Sequence, residues 1–343
     1  MNAAAMADLL QATLHKLYWN PGTQIMNQWD DSLTVNRPGE NYYYWWQAHA
    51  ADVILDGYAR TGNVAYSSRL EHLFHGILRS NRGTFRHQYY DDMQWMALAW
   101  LRAYDMTGAQ MYWESVADLW EDIRGGWNQH MGGGIAWRKN QLDYKNTPAN
   151  APAAILAARL FQRFGDEADL AWAQEIYDWN KRTLTDPVDG FVWDGINRLG
   201  DEKIDMDWQF TYCQGVFMGA GLELYTCTGD SVYLKDACRT AAAMKNRLCD
   251  SATGMLPDEG IDDTGLFKGI LIRYLRKLVE IYPEFELPAE LIEQNAITLM
   301  EHGIDDTGRV GTDWRMPPEG SIQLSVMLSG VMLLEAYASL QTK

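Results

Sequence analysis

The chain has 343 residues, 47% of them hydrophobic and 22% charged, and a formal net charge of −17. That composition excludes disorder as the main state. The charge repels polyanions, so nucleic acid and acidic membranes are poor partners, and neutral substrates or reactions through a cationic transition state suit the chain better.

The first helix is predicted from Asn2 to Leu17. Asp8, His15 and Lys16 interrupt this stretch, which has neither a basic start nor an unbroken apolar run. No secretory leader, no transmembrane helix and a cytoplasmic location are therefore expected. A long loop, Asn20 to Asn41, carries Pro21-Gly22 and Pro38-Gly39. Helical periodicity resumes from Tyr42 to Arg60 and again to Ser80, and strand alternation is scarce throughout.

Two punctuation signals then alternate. Thr61-Gly62, Thr107-Gly108, Phe164-Gly165 and Thr228-Gly229 read as tight helix stops, with Tyr282-Pro283 as a proline version. Gly83-Thr84-Phe85, Gly134-Ile135, Gly190-Phe191-Val192, Gly254-Met255-Leu256 and Gly308-Arg309-Val310 each place a glycine before an apolar residue inside a longer loop. Helix, long loop, helix and short turn thus recur with a period of roughly fifty to sixty residues, the mark of a repeat architecture. One helix of each pair is amphipathic, such as Glu167 to Thr183. Its partner, such as Gln209 to Thr226 or Ile322 to Ala338, is apolar nearly all round and must be buried. Six buried helices ringed by six amphipathic ones predict a single all-α domain over residues 1–343, an (α/α)6 barrel; an open solenoid is the alternative. The four cysteines, Cys213, Cys227, Cys238 and Cys249, form no C-x-x-C pair and read as reduced, mostly buried thiols.

Loop length places the site. The long loops all lead into inner helices, so they gather at one end of the barrel, and long loops in compact domains are usually functional. At that end lies Gln88-Tyr89-Tyr90-Asp91-Asp92-Met93-Gln94-Trp95, two adjacent carboxylates among aromatics at a helix start. A plain helix cap with a first-turn acid is the alternative reading. The same end collects flat apolar faces beside amides and carboxylates, which suit a sugar ring and its hydroxyls. Candidate substrate-binding residues are Tyr43, Trp45, Tyr90, Trp95, Trp137, Lys145, Asn146, Asn150, Trp193, Asp194, Tyr212, Gln214, Asp258 and Glu259.

Glycosidic bond cleavage generally uses two carboxyl groups, about 5–5.5 Å apart in retaining enzymes. Neighbours on a helix, about 100° apart, can meet that spacing but not readily the wider inverting one. Asp91, as the expected cap, would accept backbone N–H bonds and stay ionised, fitting a nucleophile. Asp92, beside that charge and one turn from Trp95, would keep its proton, fitting the acid/base. Other chemistries fit less well. A diphosphate-binding Asp-Asp-x-x-Asp motif fails at Trp95, and no basic cluster stands near. Of seven histidines only His87 lies clearly on a loop at this end. No zinc ligands cluster, and Asp262-Asp263-Thr264-Gly265 and Asp305-Asp306-Thr307-Gly308 lack the ligand spacing of a calcium loop.

The blocks Tyr90-Asp91-Asp92-Met93-Gln94-Trp95, Tyr44-Trp45-Trp46-Gln47, Lys145-Asn146 through Asn150, Val192-Trp193-Asp194-Gly195, Phe210-Thr211-Tyr212-Cys213-Gln214-Gly215 and Phe267-Lys268-Gly269-Ile270 resemble, in order, glycoside hydrolase family 76, the endo-α-1,6-mannanases. The resemblance implies an (α/α)6 barrel that cleaves α-1,6-mannosidic linkages with retention and without a cofactor. Asp91 and Asp92 then serve as nucleophile and acid/base, and an α-linked mannose oligosaccharide or polysaccharide is the partner of a monomer. Fungal relatives resemble cell-wall transglycosylases, so transfer to a sugar acceptor is an alternative, as is a non-catalytic glycan-binding barrel. Endo or exo action is expected to depend on the Asn20–Asn41 and Asn197–Asp207 loops.

Overall fold

The computed structural model describes residues 2–34 and 42–341, so the Pro38-Gly39 turn and part of the first long loop lie outside the described residues. Twelve α-helices run through them: α1 (Ala3–Tyr18), α2 (Tyr44–Thr61), α3 (Val64–Ser80), α4 (Tyr90–Thr107), α5 (Gln110–Arg124), α6 (Thr147–Phe164), α7 (Glu167–Leu184), α8 (Thr211–Thr228), α9 (Ser231–Leu248), α10 (Phe267–Ile281), α11 (Leu287–Thr298) and α12 (Leu324–Gln341). Packing follows α2–α4–α6–α8–α10–α12 and returns to α2, which closes the inner ring. The odd-numbered helices lie outside. The open solenoid is thereby excluded.

Burial explains the two helix types. Every residue of α8 from Thr211 to Leu224, and of α12 from Leu324 to Ala338, is buried. α12 is long and apolar enough to cross a membrane, but here its apolar surface faces protein on all sides. Turns from inner to outer helices are as short as predicted. Gly62, Gly108, Gly165 and Gly229 end α2, α4, α6 and α8 in the left-handed region, which a side chain would strain. Asn63, Asp166 and Asp230 then cap α3, α7 and α9 with their side chains, so the next helix starts at once.

The glycine–apolar loop signatures also share a physical cause. Each long loop must bury an apolar residue together with its backbone polar groups. A helix amide side chain meets that need in four places. Gln47 bonds both N–H and C=O of Met26, Asn150 those of Ile135, and Gln214 those of Val192; Asn295 accepts from the N–H of Leu256. Asn150 and Gln214 are therefore loop clamps, and their amides are spent on backbone instead of sugar. Short strands missed by the periodicity sit in these loops. β1 (Trp19–Asn20) pairs with β2 (Ile25–Met26), and β3 (Ala136–Arg138), β4 (Gln141–Asn146) and β5 (Gly195–Ile196) form an antiparallel sheet in that order. The cysteines are free, Cys213 buried and the other three half-buried.

The two ends of the ring differ in charge for one reason. Inner-helix N-termini converge at the loop end and favour carboxylates; C-termini converge at the other and favour cations. There Arg102 (α4) pairs with Asp52 and Asp56 (α2), Arg273 (α10) pairs with the same two acids, Arg159 (α6) and Lys277 (α10) share Glu223 (α8), and Arg60 (α2) pairs with Glu335 (α12). Ion pairs thus link all six inner helices, and Asp52, Arg102, Arg159, Glu223, Arg273 and Lys277 line a cavity of about 260 Å³. Trp95 and His49 form its roof, with ring centroids 5.0 Å apart.

Candidate active site

Asp91 and Asp92 lie in the first turn of α4, at the loop end of the ring. Asp91 is not the cap. Tyr89 occupies that position in extended backbone and makes no side-chain cap bond. Asp91 is instead the second helical residue, and its Oδ1 accepts the N–H of Asp92 at 3.0 Å. Its Oδ2 accepts the indole N–H of Trp137, on β3, at 3.0 Å. Both oxygens therefore have donors, which favour the carboxylate. Asp92 differs. Its Oδ2 sits 2.9 Å from Nδ1 of His87, and among the described residues its Oδ1 has no hydrogen-bond partner.

Burial raises both carboxyls above the usual range. The charge of Asp92 and, more distantly, Asp263 raise Asp91 further, while the Asp92 N–H and Trp137 oppose this; His87 opposes the shift of Asp92. Two acids this close release their protons as a pair.

Trp137 belongs to a continuous wall. Its ring packs edge-on against Tyr89 at 5.0 Å and Tyr144 at 5.6 Å. Tyr144 donates to Oδ2 of Asp194 at 3.1 Å, and Tyr212 donates to its Oδ1 at 2.9 Å. Tyr212 in turn stacks on Phe267 at 3.8 Å. Asp194 is buried and raised, with three hydrogen bonds opposing that shift, so it braces the wall behind Trp137.

Across the mouth, Trp45 and Trp46 both donate from their indoles to Oδ1 of Asp263, at 3.0 and 3.2 Å. Tyr43 stacks on Trp46 at 4.1 Å. Burial raises Asp263, the two indoles temper the shift, and Asp92 adds to it. The mouth thus holds a third carboxylate that sequence reasoning had weighed only as part of a calcium loop. No local signal could have found it, because its indole partners lie 217 and 218 residues away.

The other predicted residues are placed elsewhere. The Tyr90 ring points toward α5, where a Cβ on Gly126 would come within 2.9 Å of it, and Lys139 lies over it. Trp95 forms the floor below the acids. The ammonium of Lys145 is buried, donates to the Gly134 carbonyl at 2.6 Å and is lowered by burial to about 7. Asn146 caps α6. Trp193 packs into a smaller cluster with Trp179, Leu184 and Phe191, under the guanidinium of Arg247. Glu259 turns back to accept the N–H and hydroxyl of Thr211 at the start of α8, and burial pushes it up to about 7. Asp258 is exposed and accepts the Thr312 hydroxyl at 3.0 Å. These residues shape the loops; Tyr43, Trp45, Trp137 and Tyr212 remain on the walls.

The family model of glycosyl hydrolase family 76 matches residues 2–339. An α-1,6-mannanase of Salegentibacter sp. HEL1_6, solved as an inactive variant with two consecutive aspartates replaced by alanine and with α-1,6-mannotetrose bound, is 38% identical, with 99% of this chain and 100% of that one covered and a TM-score of 0.93. The Lin0763 protein of Listeria innocua is 39% identical, with 100% and 98% covered and the same TM-score of 0.93. A mannan endo-1,6-alpha-mannosidase, DCW1, of Candida glabrata is 24% identical over 284 residues, 71% of this chain; the match spans 59% of that curated relative's length. The chain belongs to glycosyl hydrolase family 76.

Proposed function

We propose that the protein is a retaining glycoside hydrolase cleaving α-1,6-mannosidic linkages, with Asp91 as nucleophile and Asp92 as acid/base. The observation that carries this reading is the unequal partnering of two adjacent acids. Asp91 has an N–H on each oxygen, whereas among the described residues neither oxygen of Asp92 accepts a hydrogen bond, Nδ1 of His87 lying 2.9 Å from one of them. The chain has four Asp-Asp pairs, Asp30-Asp31, Asp91-Asp92, Asp262-Asp263 and Asp305-Asp306. Of these, Asp91-Asp92 lies in the first turn of an inner helix, with Asp91 against Trp137. The Salegentibacter mannanase was inactivated at two consecutive aspartates, which supports this choice.

In the first step, Asp91 attacks C1 of a mannosyl residue as Asp92 gives its proton to O6 of the departing sugar. A glycosyl ester forms on Asp91. In the second step, Asp92 takes a proton from water, the oxygen attacks C1, and the ester breaks to free Asp91 with net retention. The rings of Trp45, Trp137 and Tyr43 offer flat faces for sugar C–H groups. No step calls for a metal or cofactor.

The test is product analysis on α-1,6-mannan, α-1,6-glucan and α-1,2- and α-1,3-mannobiose. Reducing ends from the first substrate alone, initially with α configuration, are expected. Cleavage of the glucan at an equal rate, or an initial β product, would overturn the assignment.

A further inference from the structure

We propose that His87 is the positioning residue of the acid/base, steering the Asp92 proton to its one free oxygen. This rests on Asp92 being the acid/base. The His87 ring stacks on Tyr44 at 4.8 Å with only 3° between the planes, and its other neighbour is Tyr89 at 5.6 Å and 29°. Tyr44 is itself buried and donates its hydroxyl to the Phe85 carbonyl at 2.6 Å, while the Phe85 side chain is buried in the core. The loop that carries His87 is therefore pinned two residues before it. Stacking limits how far the ring can turn, and its buried Nδ1, which has no hydrogen-bond partner, lies 2.9 Å from Oδ2 of Asp92.

The consequence concerns which oxygen carries the proton. A small turn of the ring lets the otherwise unpartnered Nδ1–H donate to Oδ2, and that oxygen is then an acceptor in both protonation states. The acid proton must then sit on Oδ1, which has no other partner among the described residues. When the proton leaves for the glycosidic oxygen, the new carboxylate keeps the N–H bond, which favours the charged form. Burial makes Asp92 a weaker acid, and His87 opposes that shift.

The groups that face this dyad are few. Asp91 adjoins Asp92, Asp263 lies across the mouth, Tyr42 couples to Asp92, and Arg138 stands 5.9 Å from the centre of the Tyr89 ring. Tyr44 is committed to Phe85. His87 is the one group among these that reaches Asp92 with a nitrogen.

The experiment compares His87→Phe, which keeps the stack and loses the N–H, with His87→Gln, which keeps a donor. On α-1,6-mannan, His87→Phe should lower kcat/KM by roughly ten- to a hundredfold. Its alkaline limb should move up by about one pH unit, because Asp92 holds its proton longer. An aryl α-mannoside with a good leaving group needs little acid help and should lose less than about threefold in its first step. His87→Gln should keep the wild-type limb. If His87→Phe does not fold, as judged by its melting curve, His87→Asn, whose shorter amide falls short of Asp92, replaces it. Equal losses on both substrates with an unmoved limb would overturn the inference. A wild type that releases no reducing ends would instead overturn the hydrolase reading, so the two failures are distinct.

Discussion

The indole N–H of Trp137 lies 3.0 Å from Oδ2 of Asp91, which joins the mouth sheet to the first turn of α4. Asp91 is thus held from two directions, by its own helix and by a strand 46 residues further along the chain.

Removing that bond should show in the acidic limb. Trp137→Phe keeps a ring on the wall and deletes the donor. Because the bond favours the ionised form of Asp91, its loss raises the carboxyl's pKa. The acidic limb of kcat/KM should move up by about one pH unit, so activity on that limb should fall by up to about tenfold. A pH-rate profile on α-1,6-mannan checks this.

Separate roles for the two acids predict separate failures. Asp91→Asn should abolish turnover of every substrate. Asp92→Asn should block the native glycan but leave the first step on an activated aryl mannoside, seen as a burst of aryl release. Full activity of Asp92→Asn on α-1,6-mannan would contradict the scheme.

Asp263 accepts two indole N–H groups at the mouth and repels Asp91 and Asp92. Asp263→Asn keeps an acceptor oxygen but loses the charge, which weakens the bonds from Trp45 and Trp46 and should raise KM on mannotetraose several-fold. Removing a negative charge also makes Asp91 easier to ionise, so the acidic limb should move down in pH, opposite to Trp137→Phe. Calorimetric binding to an Asp91→Asn background separates the affinity change from the rate.

The far end of the barrel carries stability. Burial alone would raise Asp56, but Arg102 and Arg273 hold it well below the usual carboxylate range. A depressed carboxyl contributes stability above its unfolded pKa of about 3.9, lost as pH falls through the folded value. Asp56→Ala leaves two half-buried guanidinium groups with only Asp52 as acidic partner and should cost about 2–4 kcal/mol at pH 7. The wild-type advantage should shrink as pH is lowered below about 4. Urea melts at pH 7 and pH 3 measure both.

The amide clamps give a further test away from chemistry. Gln214→Leu would leave the buried N–H and C=O of Val192 unpaired. About 2–4 kcal/mol of stability should be lost, with KM on α-1,6-mannan nearly unchanged in the folded fraction. A large KM effect would instead favour a sugar-binding role for this amide.

The repeat was legible in the residues because it follows local rules. A left-handed glycine followed by Asn or Asp stops one helix and caps the next, and a helix apolar on every side has to be inside. Those rules yield twelve helices, a closed ring and one end rich in long loops, where Asp91 and Asp92 belong. Which polar side chains face the mouth is a different kind of fact. Asn150 and Gln214 look like sugar ligands in sequence, but the buried loop backbones beside them take their hydrogen bonds first. Asp263 looks like a surface turn until the fold brings two distant tryptophans to it. A buried polar group takes whatever partner the packed chain places within about 3 Å, and that partner is set by contacts between remote segments. The ring and its working end were therefore written locally, while the cast of the site was assigned only when the loops closed over the mouth.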